Sequence, residues 1–256
     1  RVRPERLIGL PLTVIVIVSF SLFFQFSEIA EDVISAEPIV AVDAYVIDFL
    51  AASRSWVLTR LFLAATALGS WPSLAIITCA AVLLLIVWRK RWYILPLLFS
   101  LAGSTLLTEA GKTVFQRPRP PAALYTELTF SFPSGHATVA VSFYGFLVYI
   151  LVRSSRGWDT KVNVFSGGIV LVFLIAFSRV YLGVHYPSDI WAGSLNGLLW
   201  LLVGIALAEC HQSRVRPTPS LTRYPLRLAV TYLIAFVAVV LYFLVVWHFD
   251  PLSGGR

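Results

Sequence analysis

Seven apolar segments dominate the chain, and each approaches the roughly twenty residues that a helix needs to cross the hydrocarbon core of a bilayer. Apolar side chains make up 58% of the 256 residues and charged ones only 13%, which lies far outside the usual composition of soluble domains. The sequence therefore predicts an all-α fold, a polytopic membrane helical bundle. The predicted spans run approximately over Leu7–Phe26, Gly69–Trp88, Trp92–Ala110, Gly135–Val152, Val162–Phe177, Ile190–Ala208 and Leu228–Phe249.

The region before the second predicted span does not divide cleanly into crossings. The apolar stretch from Trp56 to Trp88 is too long for one span and too short for two. Gly69-Ser70-Trp71-Pro72 interrupts it, and glycine and proline together are typical of a break. We therefore expect Asp43 to Leu68 to form a helix near the membrane interface, followed by a crossing that starts around the break.

The chain contains no methionine, even at position 1, and we therefore expect a fragment, a processed product or an imperfectly recorded sequence. The first apolar run has no small-residue cleavage site and is long enough to span, so it does not indicate a cleavable signal peptide. The two cysteines, Cys79 and Cys210, are too few for a disulfide framework.

Lysine and arginine are distributed unevenly between the two sides of the predicted bundle. If the amino terminus is cytoplasmic, that side receives thirteen of the twenty cations, in agreement with the positive-inside rule. The cations are scattered through short loops and form no basic face, so the net charge of +7 does not indicate a nucleic-acid partner. The cations on the other side are Arg54, Arg60, Lys112, Arg117, Arg119, Arg179 and Arg256.

Three of these outer cations lie in "KTVFQRPRP", Lys112 to Pro120, directly after the third predicted span. Lys112 could extend from a helix end toward the interface, and the prolines could simply end the helix. The alternative interpretation is a loop that binds an anion. Glu109 lies one turn before Lys112, and we expect the two to form an ion pair. Arg117 is expected at most to attract an anionic substrate.

Serine and glycine precede the fourth predicted span in "SFPSGHATVA", Ser131 to Ala140. One interpretation is a helix capped near Ser134 or Gly135, with His136 at the membrane interface. The same helix start directs free backbone N–H groups and the positive end of the helix dipole toward an anion. In that case His136 is placed to donate a proton to a leaving oxygen.

A histidine and an aspartate lie close together in "SRVYLGVHYPSD", Ser178 to Asp189, between the fifth and sixth predicted spans. A carboxylate that accepts a hydrogen bond from one ring nitrogen of His185 leaves the lone pair of the other nitrogen exposed, as in a nucleophile or a base. The alternative is a His–Asp pair that only stabilises the loop.

The loops after the third and fifth spans must lie on the same side of the membrane, however many segments precede them. Three cations and a helix start can then surround an anion with three negative oxygens, while one histidine attacks it and another protonates the leaving group. His211 and His248 lie near segment ends, and we expect no role for them. The residues that can converge are Lys112, Arg119, Ser134, His136, Arg179, His185 and Asp189.

Together the three stretches resemble the three-part signature of the type 2 phosphatidic acid phosphatases. All three parts occur in order and without departure: Lys112, six residues and Arg119-Pro120; Pro133-Ser134-Gly135-His136; and Ser178-Arg179, five residues, His185, three residues and Asp189. The resemblance implies a six-helix phosphatase core with one additional C-terminal transmembrane helix. We expect a phosphatase domain over 1–209, a Pro- and Arg-rich cytoplasmic connector over 210–227 and the extra helix and tail over 228–256.

The same resemblance implies a metal-independent hydrolase of lipid phosphates or lipid pyrophosphates that works without a cofactor. It implies that His185 is the nucleophile that forms a phosphohistidine, that Asp189 orients it and that His136 is the general acid. No cluster of carboxylates or His/Cys ligands in the sequence suggests a catalytic metal. The residues implied to hold the phosphoryl oxygens are Lys112, Arg119, Ser134, Gly135 and Arg179.

We expect a multi-pass protein of the bacterial inner membrane, with the site on the periplasmic or extracellular side and a lipid phosphate substrate that arrives from the bilayer. Fusion to, or association with, another membrane domain is a further expectation. Two other functions stay open from the sequence. One is a phosphotransferase that passes the phosphoryl group between lipids, and the other is a lipid or anion transporter that uses the basic residues only for binding.

Overall fold

The computed structural model of the chain describes residues 9–36, 38–212 and 224–248. Within these ranges the chain is helical and contains no strand. A short 3₁₀ turn, Arg91–Tyr93, precedes α5, and a π-helical turn, Ala140–Tyr144, joins α6 to α7. The helices are α1 Gly9–Ile34, α2 Pro38–Ala52, α3 Trp56–Ala67, α4 Trp71–Val87, α5 Ile94–Phe115, α6 Gly135–Val139, α7 Gly145–Ser154, α8 Trp158–Tyr181, α9 Pro187–Gln212 and α10 Tyr224–His248.

Six of the described helical segments are long and apolar enough to cross a membrane, and the pair α3–α4, bent by 52°, gives up to seven. The prediction of an all-α polytopic membrane bundle is confirmed. Several helices run past the predicted spans. α1 continues from Phe26 to Ile34 because Glu and Ala are good helix formers even where the apolar run has ended.

The region predicted as helix from Asp43 to Leu68 is helical but divided into α2 and α3, a break that the sequence did not predict. Ser55 starts the second helix, because its side chain accepts a hydrogen bond from the N–H of Leu58 at 3.4 Å and so satisfies a donor that the helix itself cannot. The predicted break at Gly69 to Pro72 is confirmed, with Pro72 in the first turn of α4, where a missing N–H costs nothing.

Helix α9 lies at the centre of the bundle, where it packs against α1, α5 and α6. Its approach to α6 is very close: a Cβ atom on Gly197 would lie 2.5 Å from the carbonyl oxygen of Thr138, so only glycine fits there. Small residues allow this kind of packing between membrane helices.

Buried polar side chains join α5, α6 and α9 just below one end of the bundle. Thr108 of α5 hydrogen-bonds to Thr138 of α6 at 3.1 Å, and the side-chain amide of Asn196 of α9 donates to Thr108 at 3.0 Å. Thr138 in turn donates to the carbonyl of Gly193 at 3.0 Å. These bonds fix the relative positions of the three helices that carry most of the predicted site residues.

Helix α10 packs along α4 on the outside of the bundle. Tyr242 donates to the carbonyl of Ala64 at 2.7 Å, and the indole of Trp88 donates to Thr231 at 2.9 Å. Its other face exposes apolar side chains such as Phe236, as expected for a lipid-facing helix. The predicted connector 210–227 falls largely on residues 213–223, outside the described ranges, and the three-part domain division stays a prediction.

Candidate active site

A cavity of about 600 Å³ opens at the end of the bundle where α5 finishes and α6 begins. The loop between α5 and α6 and the loop between α8 and α9 meet there, together with the break between α3 and α4. Both predicted histidines line it, as do polar residues of α5 and apolar residues of α4. The lining includes Trp71, Pro72, Leu74, Thr105, Thr108, Glu109, Lys112, Glu127, Gly135, His136 and His185.

The turn after α8 places His185. Gly183 adopts a left-handed conformation, with φ of 72°, and its N–H donates to the carbonyl of Val180 at 2.9 Å. The N–H of Val184 donates to the carbonyl of Arg179 at 3.1 Å. This pair of bonds is the Schellman motif that ends many helices and that favours glycine at the left-handed position. The sequence "YLGVH" therefore turns the chain so that His185 follows directly after the end of α8.

The two ring nitrogens of His185 face opposite partners. Nδ1 lies 3.4 Å from Oδ2 of Asp189, and Nε2 lies 3.1 Å from Nη1 of Arg119. Because a guanidinium can only donate, Nε2 must be the acceptor, which leaves the ring proton on Nδ1, toward the carboxylate. Burial, together with Arg179 and Arg119, holds the pKa of His185 well below its usual value. The ring is therefore neutral near pH 7, and its Nε2 lone pair accepts from Arg119.

Arg119 and Arg179 are held in place by many hydrogen bonds. Arg119 donates to the carbonyls of Thr129 and Val184 at 2.8 and 2.7 Å. Arg179 is fully buried and donates to the hydroxyls of Thr66 and Tyr125 at 2.8 and 2.6 Å. Long cationic side chains that are already fixed lose little entropy when they bind a charged group.

The carboxylate of Glu127 joins these two arginines. One oxygen pairs with Arg119 at 2.7 Å, and the other pairs with Arg179. Burial would raise the pKa of Glu127, but the neighbouring Arg179 and Arg119 outweigh it and lower the pKa to about 2. An anion with two oxygens therefore already lies between the cations that the sequence assigns to a phosphate. Sequence reasoning missed Glu127, because a single acid in a loop carries no pattern.

Lys112, Gly135 and His136 also line the cavity, with Ser134 directly before Gly135. Lys112 pairs with Glu109 at 3.0 Å, which confirms the predicted ion pair. A Cβ on Gly135 would lie 3.8 Å from Nζ of Lys112, so the lysine reaches the start of α6. The N–H of Ser134 donates to the carbonyl of Asp189 at 3.0 Å, which links the starts of α6 and α9.

His136 lies against the break between α3 and α4. A Cβ on Gly69 would lie 2.5 Å from Cδ2 of the imidazole, so glycine at this position lets the ring fit. Besides Nδ1 of His185, which faces Asp189 at 3.4 Å, three buried polar atoms of the described site residues have no hydrogen-bond partner: Nε2 of His136, Oγ of Ser134 and Nε of Arg179. Buried polar atoms are usually paired, and such a concentration is typical of a site that binds a polar ligand.

Arg117 does not lie free in the loop, and the prediction that it only attracts substrate is wrong. It is 8% exposed and pairs with Asp189 at 2.5 Å and with Asp43 at 2.7 Å. Burial lowers the pKa of Arg117, but the two carboxylates outweigh it and the pKa is raised. Asp43 was missed altogether, although an acid inside the apolar "PIVAVDAYVI" is an unusual feature that could have drawn attention to it.

The structure brings all eight predicted site residues together at one end of the bundle. His136, His185, Lys112 and Gly135 line the cavity, Ser134 precedes Gly135, Asp189 and Arg119 contact His185, and Arg179 joins them through Glu127. Their roles stay predictions. In the described part of the chain, no group of three or more His, Cys, Asp or Glu side chains is placed to hold a metal ion.

Comparison with known proteins shows which family the chain belongs to. The sequence profile of the PAP2 superfamily matches residues 93–213. The Escherichia coli K12 protein YbjG is 30% identical over 161 residues, a match that spans 76% of its length. The chain belongs to the PAP2 superfamily. A solved PAP2-type relative, the phosphatidylglycerolphosphate phosphatase of Bacillus subtilis, has 27% identity and a TM-score of 0.68, covering 78% of this chain and 98% of that one. This result confirms the predicted family.

The matches to two other relatives cover less than half of this chain. The chain is 38% identical over 120 residues to phosphatidylglycerophosphatase B of Bacillus subtilis and 34% identical over 122 residues to an undecaprenyl-diphosphatase of Sulfolobus acidocaldarius. These matches span 45% of this chain in both cases and 59% and 55% of the relatives. The chain thus spans little more than half of the first two curated relatives that it matches.

Replacing Glu127 with glutamine is expected to strengthen the binding of tetrahedral oxyanions by about tenfold or more. The sequence predicts that a phosphoryl group binds the same two arginines, in which case it competes with the Glu127 carboxylate and competes less with a neutral amide. A tenfold change corresponds to about 1.4 kcal/mol. The measurement is the inhibition constant of inorganic phosphate and of orthovanadate. Glu209→Gln, which loses an ion pair with Arg153 at 3.1 Å at the other end of the bundle, is the matched control. Unchanged or weaker inhibition in Glu127→Gln would mean that the carboxylate only organises the arginines.

Proposed function

We propose that this PAP2 protein hydrolyses lipid phosphates or lipid diphosphates through a phosphohistidine on His185, without a metal ion. The observation that carries the proposal is the environment of His185, whose neutral ring lies between Asp189 and Arg119 at the wall of a cavity that also contains His136. A neutral ring whose Nδ1 faces a carboxylate presents its Nε2 lone pair as a nucleophile once the Arg119 donor turns to a phosphoryl oxygen.

In the first step, the Nε2 lone pair of His185 attacks phosphorus and the bond from phosphorus to the lipid oxygen breaks. His136 donates a proton to that oxygen as it leaves. The imidazole becomes positively charged, and its Nδ1–H faces the Asp189 carboxylate. Lys112, Arg119 and Arg179 bind the phosphoryl oxygens, over which the negative charge of the transition state is spread.

In the second step, water attacks the phosphohistidine and the phosphorus–nitrogen bond breaks. His136, now neutral, accepts a proton from the attacking water, so that inorganic phosphate leaves and both histidines return to their initial states. A lipid hydroxyl or phosphate in place of water would give a phosphotransferase with the same first step.

The cavity is suited to a substrate with a charged end and an apolar body. Its lining combines Lys112 and the two histidines with the apolar residues Trp71, Pro72 and Leu74 of α4. The named activities of the relatives, phosphatidylglycerophosphatase and undecaprenyl-diphosphatase, support a lipid carrying one or two phosphates.

The outer face of a bacterial inner membrane is the proposed location of the site. The loop after α4 and the loop after α7 lie together at the end far from the cavity, because Nζ of Lys90 donates to Ser154 at 2.5 Å. Arg89, Arg91 and Arg156 lie in these loops and Arg153 lies in the last turn of α7, and the positive-inside rule puts such a cluster in the cytoplasm.

Phosphate release from a panel of lipids tests the proposed function. The panel contains phosphatidylglycerol phosphate, phosphatidate, undecaprenyl diphosphate and a lipid A phosphate, each in detergent with EDTA. Release that continues with the chelator, with at least one lipid turned over, is the expected result. Release only with an added divalent ion would contradict the metal-independent mechanism. Appearance of phosphorylated lipid without free phosphate would indicate a phosphotransferase, and no reaction with any lipid would favour a transporter.

A further inference from the structure

Three charged side chains form a buried row behind His185, and none of them lines the cavity. Arg117 lies in the middle, with Nη2 2.7 Å from Oδ2 of Asp43 and Nη1 2.5 Å from Oδ1 of Asp189. Asp43 is 1% exposed and Asp189 is fully buried. Asp43 comes from α2, which precedes the PAP2 profile match at residues 93–213. The row therefore connects the reacting histidine to a helix outside that match.

The carboxylates are fixed by further hydrogen bonds at the start of α9. Oδ1 of Asp43 accepts the N–H of Ser188 at 3.0 Å, and the hydroxyl of Ser188 accepts from Arg117 at 2.8 Å and contacts Asp43. Oδ2 of Asp189 accepts the N–H of Tyr186 at 2.9 Å. The oxygen of Asp189 that does not face Arg117 is therefore the one that faces His185.

The charges of the row add up to one net negative charge. If Arg117 had Asp189 as its only partner, the pair would be neutral, and little negative charge would remain to stabilise a cationic imidazole. Asp43 supplies a second carboxylate that offsets the guanidinium. Charges buried at this distance interact strongly, because little water screens them.

We propose that Arg117 and Asp43 are positioning residues of the reaction: Arg117 fixes Asp189 against His185, and Asp43 keeps the row negatively charged as the ring becomes cationic. This inference rests on the proposed function, in which His185 attacks phosphorus. A purely structural role, in which the row only ties α2 to α9, is the competing explanation.

A series of three charge variants separates the two explanations. Asp43→Asn makes the row neutral, Arg117→Gln gives it two negative charges, and the double variant Asp43→Asn/Arg117→Gln restores one. Because His185 must be neutral to attack, a more negative row favours its protonated form and moves the acidic limb of kcat/KM to higher pH. We expect the acidic limb of kcat/KM to move about one pH unit lower in Asp43→Asn and about one pH unit higher in Arg117→Gln. In the double variant, the acidic limb should stay close to that of the parent.

The other charged or titratable groups that face His185 are the same in the parent and in all three variants. The shifts of the acidic limb therefore depend on the charge of the row alone. We also expect kcat to fall by about ten- to a hundredfold in Asp43→Asn, with KM changed less than about twofold, and to recover in part in the double variant. Asp48→Asn, an exposed aspartate on the same helix, is the matched control. The unchanged groups are Lys112, Arg119, Glu127, His136, Arg179 and Asp189.

The titration of the His185 ring, followed by NMR in isotopically labelled protein, is the second readout. This titration needs no turnover, so it measures the electrostatic effect of the row on His185 even if no lipid is hydrolysed. Absence of hydrolysis would contradict the proposed function but would leave this test of the row intact. If one single variant does not fold, the other single variant and the double variant, which buries no unpaired charge from the Arg117–Asp43 pair, still compare two different charges of the row. The inference would be overturned if the acidic limb of kcat/KM and the titration of the His185 ring did not follow the charge of the row. A double variant with a lower kcat than both single variants would overturn it as well.

Discussion

Replacing His185 with glutamine is expected to lower the rate of phosphate release by about a thousandfold or more, the size of effect that follows loss of a covalent nucleophile. The glutamine side chain keeps a polar group of similar size in a buried position, so the change removes the reacting nitrogen with little loss of volume. The measurement is the initial rate on the lipid that the panel identifies, with a parallel thermal unfolding curve to show that the bundle is intact.

Chemical trapping of the phosphorylated protein tests directly for the phosphohistidine intermediate. Rapid quenching of the parent protein with labelled substrate is expected to give a phosphorylated chain that is stable in base and labile in acid, as phosphohistidine is, and His185→Gln is expected to give none. His211→Gln, at an exposed histidine near the end of α9, is the control and should behave as the parent. Retention of more than about 10% of the activity in His185→Gln would contradict the nucleophilic role.

The helical bundle and the loops that form the site could be predicted from the sequence, because both correspond to local sequence patterns. Long apolar runs predict spans, since lipid offers no partner for backbone N–H and C=O groups. The number of spans between "KTVFQRPRP" and "SRVYLGVHYPSD" puts the two loops on one side of the membrane. The contact between Arg119 and His185, at 3.1 Å, follows from that count together with the close packing of α6 and α9.

The partners of the site residues could not be predicted, because they depend on packing between distant parts of the chain. Arg179 contacts Thr66, 113 residues away, and Arg117 contacts Asp43, 74 residues away. Nothing local in "KTVFQRPRP" indicates that its first arginine is buried against carboxylates while the second contacts His185. The division between α2 and α3 was missed for a similar reason, since the N–H of Ser55 is bound by the hydroxyl of Tyr181 at 3.0 Å.

Replacing His136 with asparagine is expected to slow hydrolysis of lipid phosphates by about a hundredfold to ten-thousandfold, the usual contribution of a general acid. A proton on the leaving oxygen is needed because a lipid alkoxide is too basic to depart as an anion. The effect on the first step, measured as the initial burst of phenol or nitrophenol release, should therefore depend on the leaving group. It should be large for phenyl phosphate and small for p-nitrophenyl phosphate, whose acidic phenol departs without a proton.

The comparison of the two aryl phosphates separates general acid catalysis from the other ways in which His136 could matter. Both substrates are of similar size and present the same phosphoryl group to Lys112, Arg119 and Arg179, so a defect in phosphate binding would slow both equally. The Gly69 contact predicts that the ring also has a packing role, and loss of packing would likewise not depend on the leaving group. Equal losses in the burst rates of the two substrates would thus assign His136 to binding or structure. A selective loss on phenyl phosphate, with the phosphohistidine still formed from p-nitrophenyl phosphate and decaying slowly, would assign it to proton transfer in both steps.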